Sequence, residues 1–183
     1  MSNDKIVNGV DTMKLKEAVG AFQQDASLAK FTFRATNEWL SGGHNRTTIK
    51  EFHGAGEEHR TDKSGFVVEA DEPEVLLGGD AAPNPVEHLL TALVTCLTSS
   101  MVYHAAARGI VIKQLEASIE GDIDIQGFLG LKESVRKGYQ NISVKFKVKS
   151  DAPEEKLREC ASFSPVFDVV TNGTKVDVAI EKG

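Results

Sequence analysis

The chain has 183 residues, with 21 basic against 27 acidic side chains and a net charge of −6. This suits one domain with a real core, and without a basic run it leaves nucleic acid out of the expected partners. No stretch reads as the roughly 20 apolar residues of a bilayer span, so no membrane partner is expected.

The opening residues, MSNDKIVNGVD, lack the apolar core of a secretory leader. Two cysteines, Cys96 and Cys160, are too few for a disulfide scaffold. The expected compartment is therefore the cytoplasm, where such thiols are inert or redox-active. We expect a single domain over residues 1–183, with residues 1–28 as an N-terminal helical extension or arm.

In residues 12–26, Leu15, Val19 and Phe22 recur at helical spacing. KFTFRAT then alternates as a strand, with Phe31, Phe33 and Ala35 on one side. SGGHNR reads as a turn, TTIKEFH as a returning strand, EEHRTDKS as a charged loop and GFVVEAD as a third strand.

The stretch PNPVEHLLTALVTCLTSSMVYHAAARG carries both ends of a long helix. Asn84 suits the N-cap, Pro85 the first helical position and Glu87 the capping box. Gly109 suits the position just past the end. Apolar residues lie on more than one face, so this helix is expected to be central and largely buried.

KQLEASIEGDIDI and ISVKFKVKS alternate cleanly. The first presents an acidic outer row and the second a lysine row, which fit side by side on a wet face. QGFLGLKESVRKGYQ is a glycine-punctuated connection. SDAPEEKLRECASF reads as a helix capped by Asp151, and SPVFDVVTNG as a short helix capped by Ser164. TKVDVAI is expected to close the chain as a strand. Strands and helices come in blocks, so the fold class is α+β with mainly antiparallel pairing.

Cys96 lies about three turns into the long helix, beyond reach of the helix N-terminus. A thiol in a purely apolar setting stays protonated and inert, so a reactive Cys96 needs a cation from another segment. At about 100° per residue, Ser100 and Tyr103 share its face, and Ser99 lies close. These hydroxyls either serve the thiol or back-bond to helix carbonyls. Glu87 falls nearly opposite Cys96 on the helix. Cys160, near the end of its own helix, fits a small core residue. The five histidines form no recognised metal motif, so no metal or other cofactor is expected.

The segment GGDAAPNPVEHLLTALVTCLTSSMVYHAAARGI resembles the central helix of the osmotically inducible protein C and organic hydroperoxide resistance (OsmC/Ohr) family. DEPEVLLGG before it, EGDIDIQGFLGL after it and SPVFDVVTNG near the end also look typical. The resemblance implies an intertwined homodimer, with antiparallel sheets wrapped round long central helices. It implies a cysteine-based peroxidase acting on organic or hydrogen peroxides, with a dithiol or low-molecular-weight thiol as reductant. Cys96 matches the peroxidatic thiol and Arg46 the hairpin arginine that polarises thiolate and peroxide. Cys160 is the candidate resolving thiol, Glu87 a candidate acid or only a helix cap, and Ser100 and Tyr103 candidate binding residues. Two positions depart from the pattern: Val86 stands where the family carries its acid, and Ser164 where it carries its second cysteine. The alternative is a non-redox dimeric protein of the same fold that binds a small molecule.

Overall fold

The computed structural model describes residues 6–183. The first five residues of the expected N-terminal extension lie outside the described ones. The elements run β1 (Ile6–Val7), β2 (Val10–Asp11), α1 (Thr12–Gln24), β3 (Thr32–Ser41), β4 (His44–Gly54), β5 (Glu57–His59), β6 (Phe66–Ala70), α2 (Pro85–Ala107), β7 (Ile112–Asp122), α3 (Ile125–Phe128), β8 (Asn141–Ser150), α4 (Glu154–Ala161) and α5 (Pro165–Asn172). The class is α+β, and the sheets of β3–β6 and β7–β8 are antiparallel. The chain divides into two compact units, residues 11–89 and residues 1–10 with 90–183.

In the first unit, Asp11 caps α1 by accepting from the amides of Met13 and Lys14. Strand β4 is central, paired with β3 on one side and with β5 and β6 on the other. The charged loop expected at residues 57–64 instead begins as strand β5, because Glu57 and Glu58 pair with Gly54 and His53. The alternation in KFTFRAT places Phe33 opposite Phe52, and their rings stack at 5.2 Å between centroids. The Arg60 guanidinium lies over the Phe52 ring at 4.7 Å, an attraction to its π face. Phe33 and Phe66 of this aromatic face remain exposed.

In the second unit, an Asn8-Gly9 turn with positive φ at both residues joins β1 and β2. Asn8 then clamps the start of β7: its Nδ2 donates to the Ile110 carbonyl at 2.9 Å and its Oδ1 accepts from the Ile112 amide at 2.8 Å. β7 pairs with β8 so that Leu115, Ala117 and Ile119 face Val148, Phe146 and Val144. On the wet face Glu116 lies opposite Lys147, as the two charge rows anticipate. Such cross-strand pairs contribute about 0.2–1 kcal/mol each.

The core is a stripe on α2, Leu93, Leu97, Met101 and Ala105, packed with Leu157, Cys160 and Ala161. The inner faces of β7 and β8 close over it. Burying one such leucine contributes about 1.5–3 kcal/mol. Gly109 ends the helix at φ 70, a conformation that suits glycine, and the Ile110 amide returns to the Ala105 carbonyl.

Four expectations need correcting. α2 is not largely buried: Thr91, Ala92, Thr95, Ser99 and Tyr103 are exposed, because a single sheet and α4 cover only one stripe. By length and composition alone this helix could cross a bilayer, which the interrupting polar residues had hidden. Its packed stripe is what a core helix shows. Asp151 does not cap α4. Pro153 holds the N-cap position without a side-chain bond, while Asp151 pairs with Lys113 at 3.0 Å. TKVDVAI forms no strand. Residues 174–183 have no regular structure, and Val176, Val178 and Ile180 are exposed. An alternating sequence becomes a strand only when a neighbouring edge takes up its backbone hydrogen bonds.

Candidate functional site

Cys96 sits in the middle of α2, half-buried, one residue before Leu97 and so about 100° off the packed stripe. Ser100 is half-buried one turn on, and Tyr103 is exposed one turn further. The neighbouring hydroxyls of Thr95 and Ser99 bond back to the carbonyls of Thr91 and Thr95, at 2.7 and 2.9 Å. Ser100 and Tyr103 make no such side-chain bond among the described residues.

Cys160 is 0% exposed and packs into the core cluster with the Leu93–Leu97–Met101–Ala105 stripe. Both cysteines are free thiols. Ser164, at the position of the family's second cysteine, is 1% exposed and accepts from the Phe167 amide as the cap of α5. The buried group at position 164 is therefore a helix cap and not a thiol.

Glu87 is bound up in a reciprocal capping box. Its carboxylate accepts from the Asn84 amide at 2.8 Å, and its own amide donates to Asn84 Oδ1 at 2.9 Å. The cap that the sequence indicates is therefore present.

Arg46 lies on the central strand β4, opposite Glu38 of β3 and Glu69 of β6. Its Nε donates to Glu69 Oε1 at 2.9 Å, and Nη2 lies 2.8 Å from the same oxygen in an ion pair. His44 Nε2 lies 3.1 Å from the other oxygen, Oε2. These bonds to Arg46 first, and to His44 next, hold the Glu69 carboxyl below the usual carboxylate range. The Glu69 carbonyl accepts from His88 Nε2 at 2.9 Å, so that nitrogen of His88 carries a proton. His88 thus ties the first turn of α2 to β6.

This OsmC/Ohr-like pattern in sequence now meets an independent comparison: residues 78–179 match the family model described as OsmC-like protein. The chain belongs to the OsmC-like family. The match covers Cys96, Cys160, Glu87 and Ser164 and leaves out Arg46 and Glu69. Solved structures agree in fold. An OsmC-like protein from Mycoplasma pneumoniae is 16% identical, with a TM-score of 0.57 over 76% of this chain and 87% of its own. An OsmC-like protein of unknown function from Vibrio cholerae is 12% identical, with a TM-score of 0.54 over 80% and 95%. A Legionella pneumophila protein described as an organic hydroperoxide resistance protein OsmC is 14% identical, with a TM-score of 0.52 over 78% and 90%. No curated protein sequence matches the chain.

Two groups of this OsmC-like chain escaped the sequence reading. Glu69 lies in the expected strand GFVVEAD and His44 in the expected turn SGGHNR, and neither is marked there as part of a site. Their signal was alternation, since Arg46 and Glu69 sit on paired strands and meet only once the register is known. Asp71 was the second. It is 3% exposed and accepts from the amides of Glu72, Gly79 and Ala81, folding residues 72–81 around one carboxylate. Those amides, the Ala81 amide foremost, hold its carboxyl below the usual range. DEPEVLLGGD does carry an Asp and two glycines, but nothing in their spacing marks which acid turns inward. Among the described residues no group of three His, Cys, Asp or Glu side chains could hold a metal ion.

Proposed function

We propose that the protein is a thiol peroxidase working through Cys96. The observation that carries this reading is the placement of Cys96: half-buried, off the packed stripe, inside the segment that matches the OsmC-like family. The Cys96 thiolate attacks the terminal oxygen of a hydroperoxide. A sulfur–oxygen bond forms as the oxygen–oxygen bond breaks. Sulfur gives up two electrons, and the alkoxide leaves and takes a proton to become the alcohol. A thiol then condenses with the sulfenic acid, releasing water and forming a mixed disulfide. A second thiol releases Cys96 and leaves as the oxidised disulfide.

We assign the reductant to an external thiol. Cys160, the candidate resolver, would first have to leave a core in which it has no exposure. Arg46 is the cation assigned to stabilise the thiolate, and Ser100 and Tyr103 the hydroxyls beside it. The working unit is a homodimer. This is supported by the apolar surface one chain leaves uncovered, including Phe33, Trp39, Phe66, Tyr103 and the tail residues Val176 and Val178. A reducing cytoplasm suits the two free thiols.

The test mixes reduced protein with cumene hydroperoxide or hydrogen peroxide and dithiothreitol, and follows peroxide loss and the mass at Cys96. Peroxide loss with one oxygen added at Cys96 is expected. An unmodified Cys96, with Cys96→Ser consuming peroxide at the wild-type rate, overturns the proposal.

A second reading, a non-redox binding protein, has support of its own. A cavity of 730 Å3 in the second unit is walled by Leu97, Met101, Val144, Phe146, Leu157 and Phe167. That volume falls within the range of small-molecule sites. Cys96 is not among its lining residues. A small molecule retained in native mass spectrometry, together with a Cys96 inert to peroxide, would favour this reading.

A further inference from the structure

The cavity of the second unit has an apolar and a polar lining. Its apolar walls include Val144, Phe146 and Val148 of β8, Leu97 and Met101 of α2 and Phe167 of α5. Alternate β8 residues face it, and they stay only half-buried although they pack against the core cluster. A sheet face closed fully on its helices would be buried, so open apolar space remains there. The polar lining is Ser150 at the end of β8, then Glu154, Arg158 and Ser162, spaced four residues apart along α4 and its C-cap. Both hydroxyls already donate to the chain, Ser150 to the Val111 carbonyl at 2.7 Å and Ser162 to the Glu159 carbonyl at 2.8 Å. Glu159 itself is shared by Lys156 and Arg108, at 3.1 and 3.4 Å. The Arg158 side chain makes no hydrogen bond or ion pair among the described residues. Glu154, one turn earlier, is the acid that ordinarily pairs at this spacing, and here it does not.

Resting on the cavity of the second reading above, and not on the chemistry of Cys96, we infer that this cavity binds an amphipathic monocarboxylate. The ligand is an unbranched acid whose chain lies on the apolar walls and whose head is received by Arg158. Charge complementarity carries the choice. Arg158 is the one cation in the lining among the described residues, and it is free. Its guanidinium is a planar fork that matches a carboxylate through two parallel bonds. A neutral alcohol would leave that fork unused, and an amine would meet it as a like charge. Glu154 works against the same ligand by repulsion, so removing its charge should tighten binding. The apolar walls supply the rest, since each methylene buried against them is withdrawn from water. A cavity with apolar walls and few polar groups, one of which is charged, has the general form of a small-molecule site.

Hexanoate, octanoate, decanoate, octanol and octylamine are titrated calorimetrically into wild type, Arg158→Gln and Glu154→Gln. Affinity should rise about fourfold for each methylene added along the acid series, with a negative heat-capacity change. Arg158→Gln should weaken octanoate about threefold to tenfold and leave octanol unchanged. Arg158 and Glu154 are exposed, so both variants should fold. Glu154→Gln should bind octanoate more tightly than wild type. A flat acid series makes the binding a surface ion contact and overturns the inference. If octylamine binds better than octanoate, or if Arg158→Gln weakens octanoate and octanol alike, the ligand class is overturned while the cavity stands as a binding site. If no probe binds, the inference and the binding reading fail together. If no probe binds and Val148→Glu abolishes self-association in sedimentation, the cavity is a contact between two copies of the chain, and the inference is overturned in favour of that occupant.

Discussion

Asn84 and Glu87 satisfy each other's backbone amides, each side chain accepting from the other residue's N–H at 2.8 to 2.9 Å. The start of α2 is therefore closed by two residues three apart. Replacing Asn84 with Ala should cost about 1 kcal/mol of stability, read as a lower urea midpoint. Glu87→Gln should stay close to wild type, because glutamine can also fill this position of the box. Peroxide turnover by folded Glu87→Gln separates the two roles given to this residue. Unchanged turnover leaves it a cap, and a selective loss makes it an acid of the reaction.

Cys160 should behave as packing. Cys160→Ser puts a hydroxyl into an apolar cluster and should cost about 1–3 kcal/mol, whereas Cys160→Ala should cost less than the serine variant. Neither should slow peroxide loss when dithiothreitol is supplied. Peroxide treatment without reductant should give oxidised Cys96 and no intramolecular disulfide in the intact mass.

The segment 72–81 should loosen in acid. The folded Asp71 carboxyl titrates below its usual value of about 3.9. A depressed folded value contributes stability that is present above the unfolded value and is lost as pH falls through the folded one. Protection of the Gly79 and Ala81 amides against hydrogen exchange, taken relative to the intrinsic rate at each pH, should therefore fall below about pH 4, well before protection in the β3–β4 ladder. Asp71→Asn should show the same loosening at neutral pH. Gly78→Ala should disturb the same segment, because a Cβ there would run into the backbone of Glu72.

His104 offers a test on the other unit. Its ring stacks on Phe163 at 4.0 Å, and Nδ1 accepts from Arg108 Nη1 at 3.1 Å. Burial first, and the Arg108 charge second, push its titration below the usual histidine value. The unfolded chain then takes up the proton first, near pH 6.5. Stability is full above that point and declines as pH falls through the lower folded value. Protonation also removes the acceptor that Arg108 uses, while Glu159, 3.4 Å from Arg108, stays in place. The melting temperature should drop between pH 7 and 5, and His104→Gln should reduce the drop.

Helix ends and strand alternation were legible because they are local. Asn84, Pro85, Glu87, Ser164 and Gly109 all sit where their capping chemistry places them. The inward faces of β7 and β8 follow directly from Leu115, Ile119, Val144 and Phe146. What the sequence hid depends on register or on a neighbour. Arg46 and Glu69 are 23 residues apart and meet only through the β4–β6 pairing. Asp151 lost its expected cap to Lys113, since a flexible exposed acid takes whichever cation is near. The tail failed as a strand for the opposite reason: its pattern is right, and it pairs with no edge among the described residues. Cys96 became a candidate through family pattern, since its own face of the helix supplies hydroxyls and no fixed cation.

The uncovered side of α2 bears on how the protein survives dilution. A helix that packs only one stripe draws only part of its available stabilisation from its own chain. In the homodimer proposed above, a second chain supplies the rest, and stability then follows mass action. Each tenfold rise in concentration would favour the paired, folded state by about 1.4 kcal/mol per dimer. The protein would then be hardiest when abundant and weakest when scarce, with its own concentration acting as a stabilising ligand.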